Sequence, residues 1–427
     1  MTSLLGYLKQ NYLYLFFIVL AFFPTVRILA FGPNSAQNTV QLVFSVLPEI
    51  LFLVILLYWS LVRIKQKSIT LHWLDRIVLL YLLYNLVVGI IFSGNLKLST
   101  YSIRLTYLPM MIYFVASLST FTFEKTVAIL HKIFVFFVVF SVLGIVLYFV
   151  FPNIQHYFLN EVSHGKIAVY FVVRMTSLLW TPVVYSTVVM ASLLYFSFKY
   201  LTEEKMKYLL FSGLLYFSLF MTMSRGAFVA VGFSMIILFV FSRKWKYIAH
   251  LASMGLIMFL LVGFYISNPI NIAKWVFQSS VETAEMNDEL TRVKLWKKTE
   301  KLSYTPFGLG LGKSGHVAHR FFTEDSDEFS KGEVALGTTD GWYKKLAFET
   351  GYLALIFYIG LILSFLGSFW WYYRKNGWDV LTFVAVFIIA VNVQNLVSNV
   401  NDFYLVAYLY WLVLGIFVLK LKQTRNG

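Results

Sequence analysis

The chain contains no cysteine. That excludes thiol nucleophiles, cysteine-ligated metals and iron–sulfur clusters, and with them a disulfide-stapled secreted domain. Charge is the second scarcity. Only 13% of the 427 residues are charged, against about 25% in an ordinary soluble domain. A water-facing surface needs more charge than this, so a soluble globular protein and a disordered chain are both excluded. Internal repeats, low-complexity tracts and a small-residue cleavage site after the first apolar stretch are also missing. What is abundant is apolar: 59% hydrophobic residues, with 43 Phe, 28 Tyr and 11 Trp. These observations predict an all-α polytopic membrane protein.

Twelve apolar segments of spanning length run over 12–31, 41–62, 75–94, 101–121, 127–151, 182–200, 206–223, 226–242, 246–266, 345–372, 380–399 and 403–420. Backbone groups in lipid must bond within their own segment, and barrel-type alternation is absent, so the spans are expected to be helices. Loop charge gives an orientation. Arg63, Lys65 and Lys67; Lys199, Lys205 and Lys207; Arg243, Lys244 and Lys246; Arg374 and Lys375; and Lys420, Lys422 and Arg425 all fall on alternate turns. The turn after the fourth segment is weaker, with Lys125 alone. Positive charge marks the cytoplasmic side, which places both termini there. The net charge of +15 then reflects loop anchoring rather than nucleic acid.

The whole chain, 1–427, is expected to form one membrane domain with two long outer loops, 152–181 and 267–344. The second carries most of the acidic residues and a GLGLGKSG stretch. No strand precedes that stretch, so a tight turn is expected there rather than a nucleotide cradle.

Arginine is least expected on the outer side, yet Arg174, Arg225 and Arg292 all fall there. Near hydrocarbon an arginine costs about 2.5–3.5 kcal/mol on insertion scales unless paired or hydrated. Each alone is explained equally well by snorkelling. Together, their guanidinium forks suit the oxygens of a lipid diphosphate, and Arg225 opens a helix whose N-terminus also favours anions.

The residues around them carry a resemblance. Ser224-Arg225-Gly226-Ala227 at a helix start is similar to the SRGA signature of the O-antigen polymerase and ligase family. The later order Arg292, Trp296, Pro306, Gly308, Gly310 and TTDGWYKKLAFETG fits too, and Arg174 resembles the family's upstream arginine. The resemblance covers about 165–365. It implies a bundle of the GT-C glycosyltransferase type, an undecaprenyl-diphosphate-linked oligosaccharide as donor, and diphosphate binding by Arg174, Arg225 and Arg292. A flippase and a chain-length regulator are the protein partners it allows.

Ligases of the family carry a histidine about eleven residues before a glycine that opens the next helix. Counting back from Gly351 gives Asp340 and Gly341 instead. An acidic residue there resembles the polymerases of surface polysaccharides. Asp340 is therefore the candidate base for the attacking hydroxyl, with helix capping as its structural alternative, and Glu349 is the second candidate, expected to face the outer cavity. The arginines supply charge stabilisation, so neither a divalent metal nor a cofactor is required. His316 and His319 form an HxxH pair with no third ligand and are expected to be solvated.

His164, Trp296, Trp342, Asn395 and Asn399 are candidate glycan contacts. The two asparagines belong to a polar stripe with Asn392, Gln394, Ser398 and Asp402, for which interhelical hydrogen bonding is the default. Glu49 is expected to pair with a cation such as Arg104. The expected activity is polymerisation of lipid-linked repeat units. Transfer of a finished glycan to another acceptor, and a lipid-linked sugar flippase, are the alternatives; the missing two-halved repeat weighs against transport.

Overall fold

The computed structural model describes residues 2–31, 44–66, 70–154, 168–169, 172–179, 181–266, 305–323, 326–336 and 341–426. The protein is all-α and polytopic. Its helices are α1 (Thr2–Phe31), α2 (Leu47–Gln66), α3 (Trp73–Ser93), α4 (Leu96–Ser102), α5 (Met111–Ser117), α6 (Phe123–Val150), α7 (Pro182–Glu203) and α8 (Met206–Met221). They continue with α9 (Arg225–Ser242), α10 (Trp245–Ile266), α11 (Gly315–Phe321), α12 (Asp327–Ser330), α13 (Trp342–Glu349), α14 (Gly351–Asn376), α15 (Val380–Gln394) and α16 (Tyr404–Asn426). A two-residue hairpin, β1 (Ala168–Val169) against β2 (Val172–Val173), precedes Arg174.

Among the described residues, nine helices are long and apolar enough to cross a membrane, and α8 and α15 are shorter apolar helices. Twelve therefore remains the expected number of spans rather than an observed one. The fourth expected span is broken: α4 runs into a π-helical turn, Ile103–Tyr107, then a 3-10 turn, Leu108–Met110, before α5. Pro109 lacks the N–H that a continuous helix would use there. The tenth expected span is also divided, because α13 ends before Gly351 opens α14. The eleventh stops at Gln394, five residues short of its expected end.

Two helices fill the middle. The apolar windows of α7 and α16 are 89% buried, whereas those of the other seven spans are 22–39% buried. The remaining spans wrap them and turn Leu, Ile, Val and Phe outward, as a chain solvated by lipid must. Small residues allow the closest approaches. A Cβ on Gly415 of α16 would lie 2.4 Å from the Tyr113 carbonyl of α5, the kind of contact that van der Waals packing in membranes exploits.

Polar side chains fix the ends. His72 and Asp75 form a capping box at the start of α3. Asp75 also accepts from Tyr113 at 2.9 Å and pairs with Lys422 at 2.7 Å. This cluster ties α3, α5 and α16 together on the basic-loop side. Glu49 of α2 pairs with Arg104 of the π turn at 2.5 Å, as the sequence predicted.

Candidate functional site

Two constellations lie at the ends of the helices opposite the basic loops. The first forms around the tight turn between α8 and α9. Arg174, just after β2, donates its Nε to the Thr222 carbonyl at 2.7 Å, and the next residue donates Met175 N–H to Met221 O at 2.9 Å. Met223 has a left-handed φ of 50°, which sharpens the turn so that Arg225 becomes the first residue of α9. Arg174 and Arg225 thus belong to one corner. Arg292 lies outside the described residues.

The same corner meets the end of α15. A Cβ on Gly226 would lie 2.7 Å from Val397, 3.7 Å from Gln394 and 3.9 Å from Ser398. The start of α13 is pinned to that stretch as well. Trp342 N–H donates to Asn395 O at 2.9 Å, and Gly341 N–H donates to the Asn399 side-chain oxygen at 2.9 Å. Gly341, not Asp340, occupies the N-cap of α13. Asp340 itself lies outside the described residues, as do His164 and Trp296.

The polar stripe divides into two uses. Asn392 is fully engaged: it donates to Ile388 O and the Tyr410 hydroxyl, and accepts from Tyr343 and Tyr358. That is the interhelical bonding expected by default. Gln394 and Asn395 are different. Both are fully buried, and neither side-chain nitrogen nor oxygen of either has a partner among the described residues. A buried amide left without a partner costs about 1–3 kcal/mol, and these two are adjacent at the end of α15 that packs against Gly226.

Trp342 is 3% exposed and packs edge-on against Tyr358 at 6.2 Å. Its ring is a core element rather than an open platform for sugar, although its indole N–H lacks a partner among the described residues.

The second constellation is ionic and was not foreseen as a unit. Lys345 of α13 pairs with Asp402 at 2.5 Å and lies 4.0 Å from Glu349. Thr106, in the π turn of the broken fourth segment, donates to Asp402 at 3.0 Å. Burial draws the Lys345 ammonium down, but Asp402 and Glu349 outweigh it and hold it above the ordinary lysine value. Asp402 belonged to the polar stripe and Lys345 to the TTDGWYKKLAFETG motif, but nothing in their spacing paired them. Opposite charges at the ends of two neighbouring apolar segments were the available signal.

Glu349 corrects an expectation. It does not face an open cavity but is 1% exposed. Its Oε1 accepts from Gly312 N–H at 3.2 Å, Ser314 N–H at 3.2 Å and Ser314 hydroxyl at 3.1 Å. The GLGLGKSG stretch therefore wraps a carboxylate belonging to the chain itself. The expected tight turn is present. Gly310 has φ +107°, and a Cβ there would lie 2.1 Å from the Ser93 backbone at the end of α3. Leu311 N–H donates to Gly89 O at 2.9 Å and Leu311 O accepts from Ser93 at 2.9 Å. Burial pushes the Glu349 carboxyl up to about 7, against the opposing pull of Lys345.

His316 lies exposed on α11, as expected, with its ring 5.0 Å from that of Phe403. The side chain of His319 lies outside the description. Among the described residues no group of His, Asp or Glu is arranged to hold a metal.

No curated protein matches the chain. A family model described as O-antigen ligase matches residues 209–359, a stretch that holds Arg225, the glycine-rich turn and Glu349 but not Arg174, Gln394 or Asn395. Over that stretch the chain matches an O-antigen ligase domain, and the polytopic helical protein that carries it is similar to the membrane enzymes that assemble surface polysaccharide.

Proposed function

We propose that this protein is a membrane glycosyltransferase that lengthens a glycan carried on undecaprenyl diphosphate, at the face opposite its basic loops. The observation that carries the reading is the corner in which Arg174 is tied to the turn that opens at Arg225, with the end of α15 and its unpartnered Gln394 and Asn395 amides packed against the adjoining Gly226. In the reaction, a hydroxyl oxygen of one lipid-linked glycan attacks the anomeric carbon of another. The bond from that carbon to the phosphate oxygen breaks, and the lipid diphosphate leaves with the electron pair. Arg174, Arg225 and Arg292 stabilise the charge as it develops on the leaving group. The N-terminus of α9 adds its backbone donors.

Asp340 takes the proton of the attacking hydroxyl. Support comes from Gly341, rather than its predecessor, holding the N-cap of α13. Glu349 is the latch of the glycine-rich turn rather than the base. The amides of Asn395 and Gln394 are the sugar contacts of the corner.

A second reading is transfer of a finished glycan to a different acceptor. It is favoured by the description of the matched family model. Purified protein given a lipid-diphosphate oligosaccharide decides between them. Longer lipid-linked products support polymerisation, and transfer confined to an added foreign acceptor supports the ligase. No new glycosidic bond under either condition removes both.

A further inference from the structure

A groove of about 750 Å³ lies on the basic-loop side, between the start of α3, the last third of α14 and the last turns of α16. It is far along the helices from the arginine corner. Ser364, Ser368, Trp371 and Lys375 line it from α14 at helical spacing, so they share one face. Gly367 lies in the same row, and a Cβ placed on it would meet nothing within 4 Å. The groove is open space, not a packing seam.

Its floor and its mouth differ in chemistry. The hydroxyls of Ser364, Ser368 and Thr424 all donate to carbonyls of their own helices. With those protons turned inward, the floor is suited to hydrocarbon. At the mouth stand two exposed tryptophans, Trp73 and Trp371. The Lys375 ammonium lies 3.9 Å over the Trp371 ring. The acids nearby are committed elsewhere: Asp75 pairs with Lys422, and Asp379 accepts from Tyr372 and from Leu381 N–H. Among the described residues Lys375 has no acidic partner. An apolar slot ending in an interfacial tryptophan pair and an uncompensated cation matches one class of ligand.

We infer that this groove is a binding site for an anionic glycerophospholipid, with an acyl chain along the Gly367 face of α14 and the headgroup phosphate at Lys375. The site is independent of the glycosyltransferase reading, because it shares no residue with the arginine corner.

The test uses the full chain, purified in a neutral detergent, with melting temperature as the readout. Phosphatidylglycerol, phosphatidylcholine or inorganic phosphate is added. Phosphatidylglycerol is expected to raise the melting temperature at lower concentration than phosphatidylcholine, and inorganic phosphate to leave it unmoved. Lys375→Gln is expected to weaken the phosphatidylglycerol effect about fivefold and to make the two lipids equivalent. Gly367→Leu fills the slot and is expected to abolish the response to both; Ser368→Leu serves if that variant does not fold. A phosphatidylglycerol preference that survives both the charge removal and the filled slot overturns the site and leaves only general contact with surrounding lipid. A full response to inorganic phosphate alone also overturns it, since no acyl chain would then be needed.

Discussion

Arg174 and Arg225 are held by different elements yet share one turn. Arg225→Ala is expected to lower glycan transfer by about 10²–10³-fold. Arg225→Lys should recover little, because an ammonium is a point charge without the bidentate fork. Rates on a lipid-diphosphate substrate, normalised to the folded fraction from melting curves, check both. Asp340→Asn tests the base directly: the proposal needs the rate to collapse, and full activity would remove it. Glu349 predicts a different pattern. Glu349→Ala strands three donors of the glycine-rich turn and should cost about 2–4 kcal/mol of stability. Glu349→Gln keeps an acceptor and should cost less.

The same carboxyl makes stability depend on pH. Its folded value, about 7, lies above the ordinary 4.5, so the folded state binds the proton more tightly. Its contribution is therefore complete below about pH 4.5 and falls as pH rises toward 7, by on the order of 1–3 kcal/mol. Melting temperatures across pH 5–8 should decline in the native chain and flatten in Glu349→Gln. Lys345, held above the ordinary lysine value, stays charged throughout that window.

At the scale of elements, the glycines sort by what stands behind them. Gly351 has φ +86°, and a Cβ there would lie 2.0 Å from the Pro306 carbonyl. Gly351→Ala should therefore fail to dock the turn and should lose expression or several degrees of melting temperature. Gly367→Ala, in open space on a helix, should instead stabilise by up to about 1 kcal/mol. Sequence pattern alone made neither distinction, since both glycines sit in apolar surroundings. It did reveal where most helices run, because 20-residue apolar stretches between basic turns have few other solutions. The breaks were less legible. Pro109 marked one, but the π turn beside it depends on Glu49 and Asp402 reaching Arg104 and Thr106 from remote segments. The pairing of Lys345 with Asp402 was hidden for the same reason: periodicity reports burial, not the partner. The corner was legible only through its motif, because hydropathy does not say that Arg174 folds back onto Thr222.

For the molecule as a whole, the absence of cysteine makes orientation directly measurable. A single cysteine replacing Asn95 should react with an impermeant thiol reagent from outside intact cells. One replacing Asn376 should react only after lysis. The reverse pattern would invert the topology and move the arginine corner to the wrong side for a lipid-linked donor.

The central position of α16 has a temporal consequence. It follows every other described helix in chain order, yet its window is as buried as that of any described span. While the ribosome is still delivering it, the earlier helices surround a vacancy that only α16 can close. A nascent chain halted at Asp402 should accordingly be inserted but left hollow, open to lipid or to a waiting insertase, and should be cleared by quality-control proteases sooner than its finished counterpart.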